Sequence, residues 1–407
     1  MEQHTSMAQR GREGIHSGLL LILFWLLSTL AVAFGAQSLR LGRRHLRAVA
    51  AGMKAQPNAW APPVTLIVPV KGREPGLGEN LRSLLDQDYP DYEVLVAARE
   101  GRDPALAELP AAPGRAVRVI TAGEEPADTG EKIRNLLAAV AQARPASQVL
   151  AFADSDGRVE RDWLRALVSP LADPAVGAAT GYRWYFPEQG GFWPLMRSVW
   201  NSTIAGTFGT GAAPFAWGGA MALRHETFVA ARVAQFWRGA VSDDYRLSQA
   251  VRQAGLRIQY VPRAMVASSG QGGAAEFFSW ARRQMIITRV YAPRLWWMGF
   301  AAHWIYCGAM AAGAAVLAEG KWWALPVLLA GVLPGMWRGT WRGRAARILF
   351  PGRAAWLDRH RGIYCWLALP TTWIWLAVFA ASSWRRRIRW RHRVYELRGP
   401  SQTRVLS

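Results

Sequence analysis

Residues 19–36 (LLLILFWLLSTLAVAFGA) carry no charge, and this run limits the architectures open to the chain more than any other feature. As a helix it approaches the roughly 30 Å of a bilayer's hydrocarbon core. It predicts a transmembrane helix over 18–37, preceded by an N-terminal tail of residues 1–17. A cleaved signal peptide is the competing expectation, because Ala31-Val32-Ala33 resembles an A-x-A site and Arg10 and Arg12 precede the run. The flanks favour retention: Arg40, Arg43, Arg44 and Arg47 put more positive charge after the run than before it. Positive flanks stay in the cytoplasm, so the following sequence is expected there.

Three further apolar stretches, 296–318, 322–337 and 363–381, lie near the other end, and the middle one contains Pro326 and Pro334. Between the last two, 338–361 mixes Arg342, Arg344, Arg347, Arg353 and Arg359 with Trp341, Phe350 and Trp356. That mixture suits either an amphipathic segment at an anionic leaflet or a solvated basic loop. Three crossings would put the middle of the chain and its basic end on opposite sides, whereas both are expected in the cytoplasm. One stretch is therefore expected not to cross, the candidates being the proline-bearing one and the first.

The net charge is +21, which raises the question of a nucleic-acid partner. With 51% apolar residues and 22 Trp, the chain is too hydrophobic for a basic disordered tail and unlike a soluble nucleic-acid binder. Much of the excess lies beside the apolar segments, where it sets orientation at a membrane, so no nucleic acid is expected. Cys307 and Cys365 are too few for a disulfide framework.

From about residue 64 to 270 the pattern changes to short β-branched runs alternating with helical ones, the signature of a parallel α/β sheet. Strands are expected at 64–68, 92–97, 117–121 and 149–153, with helices at 77–86, 131–143 and 245–254. Ligands bind at the carboxyl ends of such strands. There stand Pro69-Val70-Lys71-Gly72, Arg99-Glu100-Gly101 and Asp154-Ser155-Asp156-Gly157. Neither G-x-G-x-x-G nor G-x-x-x-x-G-K occurs in the first turn, which argues against a nicotinamide enzyme and a P-loop ATPase.

Asp154 and Asp156, two apart in a turn leaving a buried strand, suit one hard divalent ion, Mg²⁺ or Mn²⁺, whose remaining ligands are water and phosphate oxygens. The same four residues also make a good turn without any metal. Ser242-Asp243-Asp244-Tyr245 opens a helix. Its acids suit either capping or a general base that takes a proton from an attacking hydroxyl. Lys132 is placed to meet phosphates or only its neighbour Glu131. The aromatic run at 192–200, with Phe208, Phe215 and Trp217, reads equally as core and as an interfacial entry for a lipid. His225, His303 and His360 show no metal-ligand spacing and are expected to be structural.

The ordered set Val68-Pro69-Val70-Lys71-Gly72, Lys132-Ile133-x-Asn135-Leu136, Asp154-Ser155, Trp217-Gly218-Gly219, Ser242-Asp243-Asp244-Tyr245 and Arg389-Trp390-Arg391-x-x-x-Tyr395-x-Leu397 resembles the ceramide glucosyltransferases. It also resembles their bacterial relatives, including the hopanoid-associated ones, within the family 2-like glycosyltransferases of GT-A type. The resemblance covers nearly the whole chain. It implies an α/β, Rossmann-like nucleotide-diphospho-sugar transferase domain over 60–292, transmembrane or interfacial helices over 293–383 and a basic cytoplasmic tail over 384–407. The activity it implies is inverting transfer of glucose or a related hexose from a UDP-sugar to a ceramide-like or other lipid hydroxyl. The expected setting is the cytoplasmic face of a membrane, a bacterial inner membrane by the nature of the relatives, with Mg²⁺ or Mn²⁺ as cofactor.

By position, the resemblance places Asp154 at the metal and diphosphate, where the turn itself adds Asp156, with Asp244 as base and Asp243 beside it. Pro69, Lys71, Glu100 and Lys132 fall to the donor side, and Trp217, Gly218, Arg282 and Gln284 to the acceptor side. The chain departs from the family pattern twice. Glu100, with Asp103 nearby, stands where the family has an aspartate. Trp280-Ala281-Arg282-Arg283-Gln284 replaces Q/R-x-x-R-W, leaving Arg283 in the arginine's place to stabilise the diphosphate. Two rival readings are a processive polysaccharide synthase, which would need that element intact and a larger helix bundle, and a catalytically impaired membrane scaffold, which the second departure favours.

Overall fold

The computed structural model describes residues 2–111, 114–123, 128–209, 213–391 and 393–406, with side chains from residue 16 onward. The β-branched and small apolar residues of β1 (Val64–Pro69), β2 (Tyr92–Ala98) and β4 (Val149–Ala153) are buried almost throughout, as strands covered on both faces must be. With β3 (Val117–Thr121), β5 (Val176–Thr180), β7 (Ala220–Arg224) and β8 (Arg257–Tyr260) they form a mixed sheet of order β3-β2-β1-β4-β7-β5-β8. Strands β1 to β4 pair in parallel, and β7 runs antiparallel to both β4 and β5. The sheet is thus α/β as the alternation of runs implies, with one reversed strand. That reversal has a use: Ala220 at the start of β7 pairs with Ala153 at the end of β4, which brings Trp217-Gly218-Gly219 beside Asp154. A small parallel pair, β6 (Arg183–Tyr185) with β9 (Val266–Ser268), lies alongside.

The helix Glu2–Lys54 and the helix Pro293–Ala318 are, among the described residues, the two long and apolar enough to cross a membrane. They pack antiparallel, with Phe24 against Val316 and Leu27 against Ala309. The helix Ala324–Leu349 returns parallel to the first, Pro334 meeting Gly35 and Trp341 meeting Gly42. It runs on through Arg338 to Leu349, so half of the segment read as interfacial or loop is a continuation of this helix. The fourth helix, Ala368–Ser382, has 15 residues, about 22 Å of rise against roughly 30 Å of hydrocarbon. It lies only along the first half of Pro293–Ala318, from Trp296–Ser382 at 3.0 Å to Cys307–Thr372 at 3.8 Å.

The segment expected as a basic tail is ordered. It forms an antiparallel sheet of β10 (Arg387–Trp390), β11 (Arg393–Gly399) and β12 (Gln402–Val405). This sheet docks beside the helix Glu131–Val140: Arg393 pairs with Glu131 at 2.9 Å, and Thr403 N donates to Gly239 O at 3.1 Å. The reason is pattern: Ile388, Tyr395 and Leu397 alternate with charged residues and bury one face against Val241, Ile286 and Ile287. The aromatic run becomes the helix Phe192–Ala205. Met196 and Trp200 are buried, and Trp200 stacks on Trp375 at 3.8 Å, joining sheet domain to helices, whereas Phe192 is exposed.

Candidate active site

Three elements bring the acids together. The turn after β4 carries Asp154 and Asp156; the first turn of the helix Asp243–Gln253 carries Asp243 and Asp244; the first turn of the helix Glu131–Val140 carries Lys132. Lys132 Nζ lies 2.8 Å from Asp154 Oδ1 and 3.1 Å from Asp243 Oδ2, bridging the first two. Glu131 is engaged elsewhere, by Lys71 at 2.8 Å and Arg393 at 2.9 Å. Gly218 lies against this bridge, and a Cβ there would collide with the Asp243 carboxylate and crowd Lys132. A Cβ at Gly219 would strike the Trp217 ring and Asp154. The Trp-Gly-Gly sequence therefore belongs to the site because backbone, not side chain, must pass there.

Arg183 on β6 was not foreseen from the sequence. Its guanidinium donates to Asp154 Oδ2 at 2.8 Å and to Asp156 at 3.0 and 3.1 Å, and lies 4.5 Å above the Trp217 ring. Nothing local marks it, since its neighbours in sequence are ordinary strand residues. Glu74 and Arg391 were likewise passed over as site residues: they pair with each other, and Arg391 also donates to Lys71 O. Here a signal existed, in the Arg389-Trp390-Arg391 motif.

Ser242 caps the Asp243–Gln253 helix, and Asp244 Oδ1 accepts from Ser242 Oγ and, at 2.7 Å, from Tyr245 N. Both bonds fall on one oxygen. Burial, then the neighbouring Asp243 charge, raise the Asp244 carboxyl from its ordinary 3.8 to about 6. Burial also raises Asp243, against the opposing pull of Lys132. At Asp154 burial is outweighed by Lys132 and Arg183, which hold it below the usual range. Lys132, despite its burial, is kept well above its ordinary value by Asp154 and Asp243. Environment therefore separates a firmly ionised acid, Asp154, from one poised near neutrality, Asp244.

One cavity of about 700 Å³ joins these groups. Pro69, Lys71, Lys132, Asp154 and Asp156 line it on the sheet side, Trp217, Gly218, Asp243 and Asp244 across from them, and Arg283 and Gln284 from the helix Ala274–Tyr291. Burial brings Arg283 down to about 10, and its guanidinium lies 5.3 Å from the Trp390 ring. Two expected residues are not brought in. Arg282 is not among the lining residues. Glu100, paired with Arg99 at 3.5 Å, keeps a side chain 66% exposed, while Asp103 accepts from Gly72 N and Ala105 N. The cavity continues past Trp200 and Trp375 to His303, Arg338 and Phe34, between the long helices. His303 Nδ1 meets Gly299 O at 2.7 Å and His360 Nδ1 meets Trp356 O at 3.0 Å, and no group of three or more His, Cys, Asp or Glu among the described residues is placed to hold a metal ion.

The family model for glycosyl transferase family 21 matches residues 23–402. The chain belongs to glycosyl transferase family 21. This transferase is also similar to solved structures. One is the mannosyltransferase PcManGT from Pyrobaculum calidifontis, in complex with GDP-Man and Mn²⁺, at 20% identity over 88% of this chain and 99% of that one, with a TM-score of 0.46. Another is glucosyl-3-phosphoglycerate synthase from Mycobacterium tuberculosis, with Mn²⁺, UDP and glucosyl-3-phosphoglycerate, at 16% identity over 58% and 84%, with a TM-score of 0.37.

The donor set at Asp154 and Asp156 fits a hard divalent ion. Both carboxylates converge on one cationic point, now held by Arg183. Two carboxylates leave the rest of an octahedral shell to water and phosphate oxygens, the usual arrangement for Mg²⁺ with nucleotides.

Proposed function

We propose that this family 21 transferase moves a hexose from a UDP-sugar to the hydroxyl of a membrane lipid, with inversion, at the cytoplasmic face. The observation that carries this reading is the single cavity running from the acid cluster to the space between the long helices. A soluble acceptor needs no such extension. Exposed Trp25, Trp297, Trp304 and Trp337 on those helices, Trp322 in the turn between two of them and Trp373 on Ala368–Ser382 add an apolar surface suited to lipid.

In this mechanism the acceptor oxygen attacks the anomeric carbon while Asp244 takes the hydroxyl proton, and the bond to the β-phosphate oxygen breaks, its electron pair leaving with UDP. Asp154 and Asp156 would hold Mg²⁺ or Mn²⁺, which supplies Lewis acidity to the departing diphosphate. Lys132 and Arg283 add positive charge beside it, and Asp243 keeps Lys132 in place. Pro69 and Lys71 border the donor pocket, and Trp217, Gly218 and Gln284 the acceptor side.

In this reading residues 19–36 and Pro293–Ala318 cross the membrane by their own composition. Ala324–Leu349, more polar over its second half, crosses back by packing along the first helix, Pro334 on Gly35 and Trp341 on Gly42, and Ala368–Ser382 enters and returns. Two crossings between the catalytic domain and the C-terminal sheet then keep both on one side, as their contact requires. The stretch that does not cross is the last of the three. UDP release with a panel of UDP-sugars, Mn²⁺ or Mg²⁺ and lipid extract tests the proposal, with Asp244→Asn expected to abolish transfer and retain UDP binding. Full turnover by that variant removes Asp244 from the base role, and turnover without any lipid removes the lipid acceptor.

A further inference from the structure

The cavity has a second charged region, remote in chemistry from the acid cluster. Arg338 and Arg342 lie one helical turn apart on Ala324–Leu349, and both line it. Arg342 is only 6% exposed. Among the described residues neither guanidinium has an ion-pair partner. Arg338 donates to Ser38 Oγ at 3.0 Å and to Gly206 O at 3.4 Å. Its Nε, and that of Arg342, are buried without a hydrogen-bond partner.

Two like charges withdrawn from water with no counter-ion are disfavoured both by lost solvation and by mutual repulsion. An ionisable group at membrane depth is by default a functional one. In the proposed membrane placement the depth follows from Ser38, which comes just after the uncharged run 19–36 and accepts from Arg338. The pair therefore sits where the hydrocarbon ends and headgroups begin. Guanidinium forks match phosphate oxygens better than any other side chain does. The acid cluster at the other end of the cavity repels such a group.

We propose that Arg338 and Arg342 form an anion site that holds the phosphate headgroup of a membrane lipid, with its chains among the long helices. This rests on the reading that the cavity admits lipid. The site is separate from the groups assigned to the donor diphosphate, which are Lys132 and Arg283.

Native mass spectrometry of the full-length purified chain tests it, with phosphatidylglycerol, neutral diacylglycerol and inorganic phosphate as probes. The wild type is expected to retain phosphatidylglycerol at least about tenfold better than diacylglycerol, the effect of one or two charged hydrogen bonds. The double variant R338Q/R342Q should lose that preference, and R338K/R342K, which keeps the charge, should keep most of it. UDP binding by each variant reports that the catalytic domain is folded. Equal retention of the two lipids, or an undiminished preference in R338Q/R342Q, overturns the proposal. So does inorganic phosphate that binds this pair and displaces phosphatidylglycerol, which would assign the site to free phosphate. Binding of no lipid of either kind overturns the lipid reading of the cavity itself.

Discussion

Asp244→Asn should inactivate the transferase and at the same time stabilise it. Burial and the Asp243 charge raise the Asp244 carboxyl from 3.8 to about 6, so the folded protein holds this proton more tightly than the unfolded chain. The stability contributed by that proton is fully present below about pH 4 and is lost as pH rises through about 6. At neutral pH the ionised carboxylate opposes folding by roughly 3 kcal/mol. Asparagine has the same shape and retains an oxygen to accept from Ser242 Oγ and Tyr245 N, but it carries no charge. Thermal unfolding of wild type and variant in one detergent, from pH 4 to 8, should show a variant advantage that opens between pH 4 and 6 and stays level above. Activity of the wild type should fall about tenfold per pH unit below 6, as the base is protonated. A variant no more stable than wild type at pH 8, or an advantage that shrinks as pH rises, would refute the reasoning.

Lys132→Met strands Asp243 without its cation and leaves Asp154 to Arg183 alone, and is expected to cost about 3–5 kcal/mol. Because Lys132 also restrains Asp244, any residual activity should show its acid limb above pH 6; a limb at or below 6 contradicts this. Arg183→Ala frees both carboxylates of the Asp-Ser-Asp turn, so Mn²⁺ should bind about tenfold more tightly by calorimetry, the loss of one competing charged contact. Weaker Mn²⁺ binding would mean that Arg183 orders the carboxylates rather than competing for them. Gly218→Ala drives a methyl into the Asp243–Lys132 bridge, with an expected cost of about 1–3 kcal/mol and loss of UDP-sugar affinity in a titration; wild-type affinity would show that the backbone does not need that space.

The legible part of this protein was local. Runs such as Val-Thr-Leu-Ile-Val and Val-Leu-Ala-Phe-Ala can be buried on both faces only as central strands, and their limits agree with β1 and β4 to within a residue. Ser242 two residues before Asp244 marks a helix start because the capping rules act over four residues. An uncharged run at the N-terminus fixes a long apolar helix for the same reason, since its constraint lies in its own composition. The site acids lay at the ends of these elements, where the fold brings Asp154 and Asp243 to a shared Lys132.

What the sequence left open depended on partners far along the chain. Lys132 had a carboxylate beside it in sequence, yet its partners are Asp154 and Asp243. Arg183 reaches the turn of Asp154 and Asp156 from β6, across 27 residues from Asp156. Arginine-rich residues 385–393 read as a tail because charge dominates their composition, whereas three alternating apolar residues suffice to dock a sheet. The length of 363–381 suggested a span; the regular helix there is Ala368–Ser382, 15 residues packed along only half of its neighbour. Hydrophobic pattern and capping are properties of a few consecutive residues, so the sequence alone decides them. Charge pairing and helix packing are settled by which surfaces meet, and only the tertiary fold brings those surfaces together.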